Sequence, residues 1–281
     1  MITYFFQMNQ NKALAAAVEL NRRVMGVDNY VCMITEPYKN KCRIVAKPEG
    51  SKVLVHKSTK PPRAAIYFKG ENRIIQIESL CNEDCVVALW NCGDRSMILV
   101  SAYLDIQREA VPLWLEDVCQ YAEQRGTPLL LCADSNAHSE LFGRTTNKRG
   151  KELEDFILTN QLRVENLGTV PTFRAHRVAG AIESCVDVTL TRDTDDRVEC
   201  WAVEDRYNGS DHNTIVFHIK NDCIGKAEEV RNWRKADWGL FKSVLEAHRR
   251  SLYVPKVLNE KKLDKMVEKL YNLLNLSLIH I

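Results

Sequence analysis

The stretch Leu129-Leu-Leu-Cys-Ala-Asp134-Ser-Asn136-Ala-His138 decides the fold, because an uncharged apolar run ends abruptly in an acid and an amide. Such a run is typical of a buried strand. In an extended chain, Asp134 and Asn136 lie two residues apart and point to the same side. The carboxylate can accept a proton from water, and the amide can bind a phosphate oxygen. The same residues also suit an Asx turn at a strand end, and this segment alone leaves both interpretations open.

Further apolar runs, rich in Val, Ile, Tyr and Phe, punctuate the chain up to residue 219 and predict strands. Helical periodicity interrupts them at residues 11–24, where Asn11 is the predicted cap and Leu14, Ala17 and Val18 form the predicted inward face. Two more helices are predicted at 112–124 and 148–160. Many strands with few, separated helices indicate an α/β fold of two packed sheets flanked by helices.

The last part of the chain differs in composition and in pattern from the rest. Residues 221–236 are polar and charged, and helical patterns follow at 237–250 and 259–276. We therefore expect one domain over residues 1–220 and a linker with a helical segment over 221–281.

Composition excludes little by itself. The formal net charge is +2, so a nucleic-acid partner is neither required nor excluded. The ten cysteines are scattered, many inside apolar runs, which is typical of free thiols in a reducing compartment. Because no secretory signal and no run of ~20 apolar residues is evident, we expect an intracellular protein without a membrane partner.

Positive charge is concentrated between Lys39 and Arg63, where eight basic residues face one acid, Glu49. Such a segment favours contact with a polyanion such as double-stranded DNA. The alternative is a solvated face without a partner, and the sequence leaves it open.

Four further segments place polar groups beside apolar runs, although each also has an ordinary structural explanation. Glu36 ends one strand, and Asn9 follows another and could cap the first helix. Asp211 and His212 precede the strand at 214–219. Asp187 lies within an apolar run, where a buried carboxylate needs a partner such as a histidine.

The order of these groups is more informative than any one of them. Asn9, Glu36, Tyr103, Asp134-x-Asn136, Asp187 and Ser210-Asp211-His212 together resemble the endonuclease/exonuclease/phosphatase superfamily over about residues 1–219. The resemblance implies a DNase-I-like fold, a four-layer sandwich of two mainly antiparallel β-sheets flanked by helices.

Within that superfamily the sequence is most similar to the abasic-endonuclease-like domains that begin the reverse-transcriptase polyproteins of LINE-type retrotransposons, especially insect ones. The segments that carry this resemblance are Ala-Asp-Ser-Asn-Ala-His-Ser-Glu-Leu-Phe-Gly at 133–143, Pro171-Thr172-Phe173, and Asn232-Trp-Arg-Lys-Ala-Asp-Trp238. The last resembles the connector to the polymerase. Because the 281 residues contain no Tyr-x-Asp-Asp segment, polymerase activity is not implied.

The resemblance implies roles for individual residues. Glu36, with Asn9 and Asp211, would bind Mg²⁺ or Mn²⁺. Asp134 would deprotonate the attacking water. The remaining catalytic roles fall to Asn136 and Tyr103, which would stabilise charge on the phosphate, and to His212, oriented by Asp187. Predicted DNA contacts, from the basic segment and from the motifs, are Lys52, Lys57, Lys60, Arg63, Thr172 and Ser184.

We therefore expect a nuclear, metal-dependent DNA endonuclease that leaves a 3′-hydroxyl for target-primed reverse transcription. In a full-length parent protein its partners would be a reverse transcriptase domain and element RNA. The alternatives are an abasic-site repair endonuclease, a phosphodiesterase of the same superfamily acting on another phosphate ester, and an inactive DNA-binding fragment.

Overall fold

The computed structural model describes residues 2–70, 73–92, 95–177, 180–194 and 198–220, together with Lys242, Ser243 and Glu246. The chain divides into two compact units, Met1–Gly225 and Lys226–Ile281. The predicted connector and the helices predicted at 237–250 and 259–276 lie outside the described residues, apart from the three named, which are helical.

The first unit alternates strands and helices in the way that the apolar runs predicted. The helices are α1 (Leu14–Val24), α2 (Leu113–Gln124) and α3 (Lys148–Thr159), and Glu78–Leu80 form a 3₁₀ turn. The strands are, in chain order, β1 (Ile2–Asn9), β2 (Tyr30–Thr35), β3 (Lys39–Asn40), β4 (Arg43–Ile44), β5 (Lys52–Leu54), β6 (Ala64–Lys69), β7 (Arg73–Gln76), β8 (Cys85–Cys92), β9 (Arg95–Tyr103), β10 (Leu129–Asp134), β11 (Arg163–Val164), β12 (Phe173–Arg177), β13 (Gly180–Ser184), β14 (Asp187–Arg192), β15 (Val198–Glu204) and β16 (Thr214–Lys220).

Two six-stranded sheets account for most of the described strands. Their strand orders are β15-β16-β1-β2-β6-β5 and β11-β14-β10-β9-β8-β7. Each sheet contains one parallel pair, β1 with β2 and β9 with β10, and its other pairs are antiparallel. Separate hairpins are formed by β12 with β13 and by β3 with β4. The predicted pair of mainly antiparallel sheets is confirmed.

The sheets pack face to face, and helices cover their outer faces. Phe5 of the first sheet and Trp90 of the second meet edge to face in the shared core, with ring centroids 5.4 Å apart. Ala16, Leu20 and Val24 of α1 pack against the first sheet. The buried faces of α2 and α3 join the core cluster that contains the second sheet. Burial on both sides explains why the central strands are almost entirely apolar.

The predicted start of α1 is wrong. The helix begins at Leu14, and Ala13, which has no capping side chain, occupies the N-cap position. Asn11 and Lys12 adopt positive φ angles of 45° and 54° in the turn before it. These angles lie in the left-handed region, which a right-handed helical turn does not contain. Asn11 therefore lies in the turn between β1 and α1 and does not cap the helix.

The predicted inward face of α1 is also wrong in part. Leu14 and Val18 are about half exposed, whereas Ala16 and Ala17 are buried. Small side chains at the contact let the helix approach the sheet closely. Among the described helices, none is long and apolar enough to cross a membrane.

Candidate active site

The predicted catalytic residues lie where strands of both sheets end at one common edge. Asn9 and Thr35 are aligned at the ends of the parallel strands β1 and β2. Asp134 is aligned with Tyr103 at the ends of β9 and β10. It is also aligned with Asp187, the first residue of β14, because that strand runs antiparallel to β10. Strand direction therefore gathers groups that are far apart in the sequence.

Three side chains form the centre of the site. Ligand atoms of Asp134, Asp187 and His212 all lie within 4.8 Å of one another, and all three residues are buried. His212 Nδ1 is 2.8 Å from Asp187 Oδ2. The hydroxyl of Thr172 accepts hydrogen bonds from the backbone N–H groups of Asp187 and Val186, each at 3.0 Å. These bonds fix the start of β14 and therefore the Asp187 carboxylate.

The charge of His212 is controlled by its neighbours. Burial alone would lower its pKa, but the charge and hydrogen bond of Asp187, with the charges of Asp134 and Asp211, raise the pKa to about 9. The imidazole is therefore a cation at neutral pH. It faces the ring of Phe173 edge-on, with centroids 5.0 Å apart. A positive group held in this way suits a phosphate oxygen.

The pKa of Asp134 is raised as well, which for a carboxyl group favours the neutral form. Burial and the negative charge of Asp187 raise its pKa, whereas the charge of His212 and hydrogen bonds from Asn9 and Asn136 act against that rise. The Asn9 amide donates to Asp134 Oδ2 at 2.7 Å. A carboxyl group whose pKa is raised toward neutrality is suited to general-base catalysis. Proximity of a second acid is one of the ordinary causes of such a shift.

The loop after β10 turns sharply at Asn136, whose φ is +48°. Its backbone N–H lies 3.3 Å from Asp134 Oδ1, which is the Asx turn considered from the sequence. Its side-chain amide donates to the carbonyl of Leu104 at 3.1 Å. The Asx-turn interpretation of the Asp-x-Asn segment is therefore confirmed, whereas the catalytic role of Asn136 stays a prediction.

Arg149 of α3 holds this loop through its guanidinium. Its guanidinium donates to the backbone carbonyls of Ser135, Leu104 and Arg108 at 3.0, 3.0 and 2.7 Å. These carbonyls belong to the loops that follow β9 and β10. Arg149 thus ties the two loops that follow Tyr103 and Asp134.

Glu36 lies just beyond β2, in a turn fixed by the backbone. Its φ is +44°, and its N–H donates to the carbonyl of Arg63 at 2.8 Å. Its carboxylate oxygen lies 2.5 Å from the ammonium of Lys12. No local pattern in the sequence signals Lys12, because the contact depends on the turn between β1 and α1.

Glu36, Asn9 and Asp211, the predicted metal ligands, belong to neighbouring segments of the chain. Asn9 is aligned with Thr35, the neighbour of Glu36, in the β1–β2 pair. The Ser210 hydroxyl donates to the backbone carbonyl of Asn9 at 2.8 Å and lies 3.4 Å from Oδ1 of the adjacent Asp211. Carboxylate and amide oxygens are the ligands that Mg²⁺ prefers. The Lys12 ammonium already lies against the Glu36 carboxylate.

Within the described part of the chain, a different set of side chains lies within metal-ligand spacing. It consists of Asp134, Asp187 and His212. Its ligand atoms are already engaged, since His212 bonds Asp187 and Asn9 bonds Asp134. The predicted ligands Glu36 and Asn9 are engaged as well, since Lys12 lies against Glu36 and the Asn11 N–H donates to Asn9 Oδ1 at 2.7 Å.

Tyr103 and Arg63 form a stacked pair at the edge of the site. The Arg63 guanidinium carbon lies 4.9 Å from the Tyr103 ring centroid. Arg63 also bonds Asp84 and, at 2.6 Å, Asp105. Burial and the charges of Glu36 and the nearby aspartates raise the Tyr103 pKa to about 12, so its hydroxyl keeps its proton and can donate.

The predicted DNA contacts occupy different environments. Thr172 is 1% exposed, and Arg63 is paired with Asp84 and Asp105. Lys52, Lys57 and Lys60 are exposed, although Lys60 pairs with Glu83 at 2.8 Å. Ser184 is half-buried at the end of β13.

Comparison with known proteins agrees with the geometry. Residues 97–216 match a family described as endonuclease-reverse transcriptase. The solved endonuclease domain of TRAS1, a telomere-specific non-LTR retrotransposon, is 27% identical with a TM-score of 0.68, over 78% of this chain and 98% of that one. The predicted resemblance is confirmed.

Other relatives agree with this result. A putative 115 kDa protein of the type-1 retrotransposable element R1DM of Drosophila melanogaster is 26% identical over 96% of this chain. This chain spans only 27% of that protein's length. The AP endonuclease LMAP of Leishmania major shares the fold, with a TM-score of 0.59 at 10% identity over 78% of this chain and 88% of that one. The DNase-I-like fold class is therefore confirmed, and the chain is similar to retrotransposon endonuclease domains.

Proposed function

We propose that this chain is a divalent-metal-dependent endonuclease domain that nicks double-stranded DNA for retrotransposition. One observation carries the proposal: a buried acid with a raised pKa, Asp134, lies beside a buried His212–Asp187 ion pair at the edge where strands of both sheets end. A general base and a fixed cation at one point are what hydrolysis of a phosphodiester requires.

The side chains divide the chemistry among them. Asp134 accepts the proton of the attacking water, oriented by the Asn9 amide that bonds its other oxygen. The His212 cation contacts a non-bridging phosphate oxygen and offsets its growing negative charge. Tyr103, protonated at neutral pH and aligned with Asp134 at the end of β9, donates to the phosphate. Asn136 supports the same group at the turn after β10.

A divalent ion such as Mg²⁺ or Mn²⁺, held by Glu36, Asn9 and Asp211, would add Lewis-acid stabilisation of the phosphate. In-line attack breaks the bond between phosphorus and the 3′ oxygen, which leaves a 3′-hydroxyl and a 5′-phosphate. That hydroxyl is the primer that a reverse transcriptase needs. In a longer parent protein the partners are a reverse transcriptase domain and element RNA, and the place of action is the nucleus.

The domain boundary is part of the proposal. Residues 1–220 would form the nuclease, and 221–281 a linker and helical segment that begins the connector to a reverse transcriptase. Support comes from β16, which ends at Lys220 and pairs with both β1 and β15, so that it completes the first sheet.

The test measures nicking of a supercoiled plasmid with Mg²⁺, with and without excess EDTA. It compares the unsubstituted 281-residue chain with the Glu36→Ala variant. We expect nicking that EDTA and Glu36→Ala both abolish, while the matched control Glu49→Ala keeps full activity because Glu49 is exposed. Extension of the nick by a DNA polymerase would identify the 3′-hydroxyl. Undiminished nicking in excess EDTA, or nicks that no polymerase extends, would contradict the proposal.

A further inference from the structure

A buried chain of hydrogen bonds joins the two sheets beneath the candidate site. The indole N–H of Trp201 donates to the hydroxyl of Thr189 at 2.9 Å, and that hydroxyl donates to Gln7 Oε1 at 2.7 Å. Gln7 Nε2 in turn donates to the carbonyl of Val188 at 3.2 Å and lies 3.5 Å from that of Ala133. Because Trp201 and Gln7 lie in the first sheet and the others in the second, the chain crosses the sheet interface repeatedly.

The direction of every bond in this chain is fixed by chemistry. An indole can only donate, and a backbone carbonyl can only accept. Thr189 must therefore pass its own proton to Gln7 Oε1, and the Gln7 amide nitrogen must face the two carbonyls. Reversal of the amide would set oxygen against oxygen. A network with one permitted arrangement restricts the side chain to one orientation.

The network lies two residues along β1 and β14 from the catalytic groups. Gln7 precedes Asn9 by two residues on β1, and Thr189 follows Asp187 by two residues on β14, so each pair shares a face. The carbonyls that Gln7 contacts belong to Ala133 and Val188, the residues directly adjoining Asp134 and Asp187. Gln7 therefore contacts the backbone beside both carboxylates at once.

We propose that Gln7 is a positioning residue that sets the separation of the Asp134 and Asp187 carboxylates and aligns the Asn9 amide with them. The inference rests on the proposed nuclease function. Like charges this close repel each other, so their separation depends on how firmly the backbone beside them is held. Core packing and the Asn9–Asp134 bond already join the two sheets, and Gln7 adds direct hydrogen bonds from β1 to the backbone beside both carboxylates.

The experiment compares Gln7→Met with a matched core variant, Ile98→Ala. Methionine keeps the length and most of the volume of glutamine but makes none of its hydrogen bonds. Ile98 is buried in β9 opposite Leu129, at the far end of β10 from Asp134. We expect Gln7→Met to lower kcat for plasmid nicking by about 10²-fold with KM nearly unchanged, since small misplacements of reacting groups cost that much. Ile98→Ala is expected to lower the melting temperature with little effect on kcat.

A second readout reports on the site without activity. The proton on His212 Nδ1 that faces Asp187 is expected to give a low-field NMR resonance, which should shift or broaden in Gln7→Met and not in Ile98→Ala. Equal kcat losses in the two variants, or an unchanged resonance in Gln7→Met, would overturn the inference. Asp134→Asn separates the two proposals: if it keeps full nicking activity, the proposed function itself is wrong.

Discussion

His212 and Asp187 form a buried ion pair, with Nδ1 of the ring 2.8 Å from Oδ2 of the carboxylate. Neither group is placed to act well alone. Without the carboxylate, burial would favour the neutral imidazole, and without the imidazolium a buried carboxylate would lack its counter-charge. Their contact links the loop before β16 to the start of β14, which are 25 residues apart in the sequence.

We predict that these two residues act as one unit in catalysis. Asp187→Asn and His212→Ala should each lower kcat by roughly 10²-fold or more, and the double variant should add less than about threefold. The measurement is a double-mutant cycle on nicking, with each variant first checked for folding by circular dichroism. Additive losses would mean that the two residues act independently.

The charge on His212 gives a prediction about pH. Its pKa in the folded protein is raised to about 9, above the value of ~6.5 in an unfolded chain. The pair therefore contributes its full stability below about pH 6.5 and loses it as pH rises through about 9. In Asp187→Asn the His212 pKa should fall by at least one unit, measured by NMR titration of the metal-free protein. An unchanged pKa would mean that neighbours other than Asp187 keep His212 protonated.

The exposed lysines are predicted to contact DNA phosphates. Replacing Lys52, Lys57 and Lys60 by Gln should reduce the slope of log affinity against log salt by about 2, since each phosphate contact contributes about 0.9. Lys60 should contribute least, because Glu83 already pairs with it. The control is Lys151→Gln, whose lysine is exposed but paired with acids on its own helix. An unchanged slope in the triple variant would place the duplex on another face.

Arg63 and Lys60 lie close in the sequence but should differ in their contribution to stability. Arg63 bonds two acids and stacks on Tyr103, and it is mostly buried. Arg63→Met should therefore lower the free energy of unfolding by roughly 2–3 kcal/mol, whereas loss of the exposed Lys60–Glu83 pair should cost under about 0.5 kcal/mol. Urea denaturation measures both. Equal small losses would mean that Arg63 is free to serve a ligand instead.

The domain proposal predicts that a shortened chain ending at Asn221 keeps both the fold and the nicking activity. Among the described residues, β16 is the last strand of the first sheet; it ends at Lys220 and pairs with β1 and β15 on its two sides. Thermal melting and plasmid nicking compare the two lengths. Insolubility of the shortened chain, with the full chain soluble, would show that later residues complete the core.

The sequence by itself determined the long buried strands and predicted which groups form the candidate site. The apolar runs at Leu129–Asp134 and Tyr30–Thr35 are local signals, because a strand buried on both faces needs apolar residues at every position. Polar groups directly beyond those runs mark the strand ends, where loops carry function. Their order along the chain was enough to predict the fold and the resemblance.

Short or polar elements escaped prediction because they lack such a signal. The two-residue strands β3, β4 and β11 are too short for a periodicity, and the hairpin of β12 and β13 carries polar residues. The inward face of α1 was predicted wrongly because its apolar residues occupy two sides, and only contact with the sheet selects one.

Only the tertiary structure decided which side chains meet. Gln7 stands out in the sequence as an amide in an apolar run, but its partner Val188 is 181 residues away. Arg63 belongs to the basic segment predicted as a surface, yet two aspartates neutralise it, and the guanidinium of Arg149 donates to backbone carbonyls. A local pattern reports whether a residue is buried. Its hydrogen-bond partners depend on how strands are paired and sheets are stacked, and those contacts form only when distant segments come together.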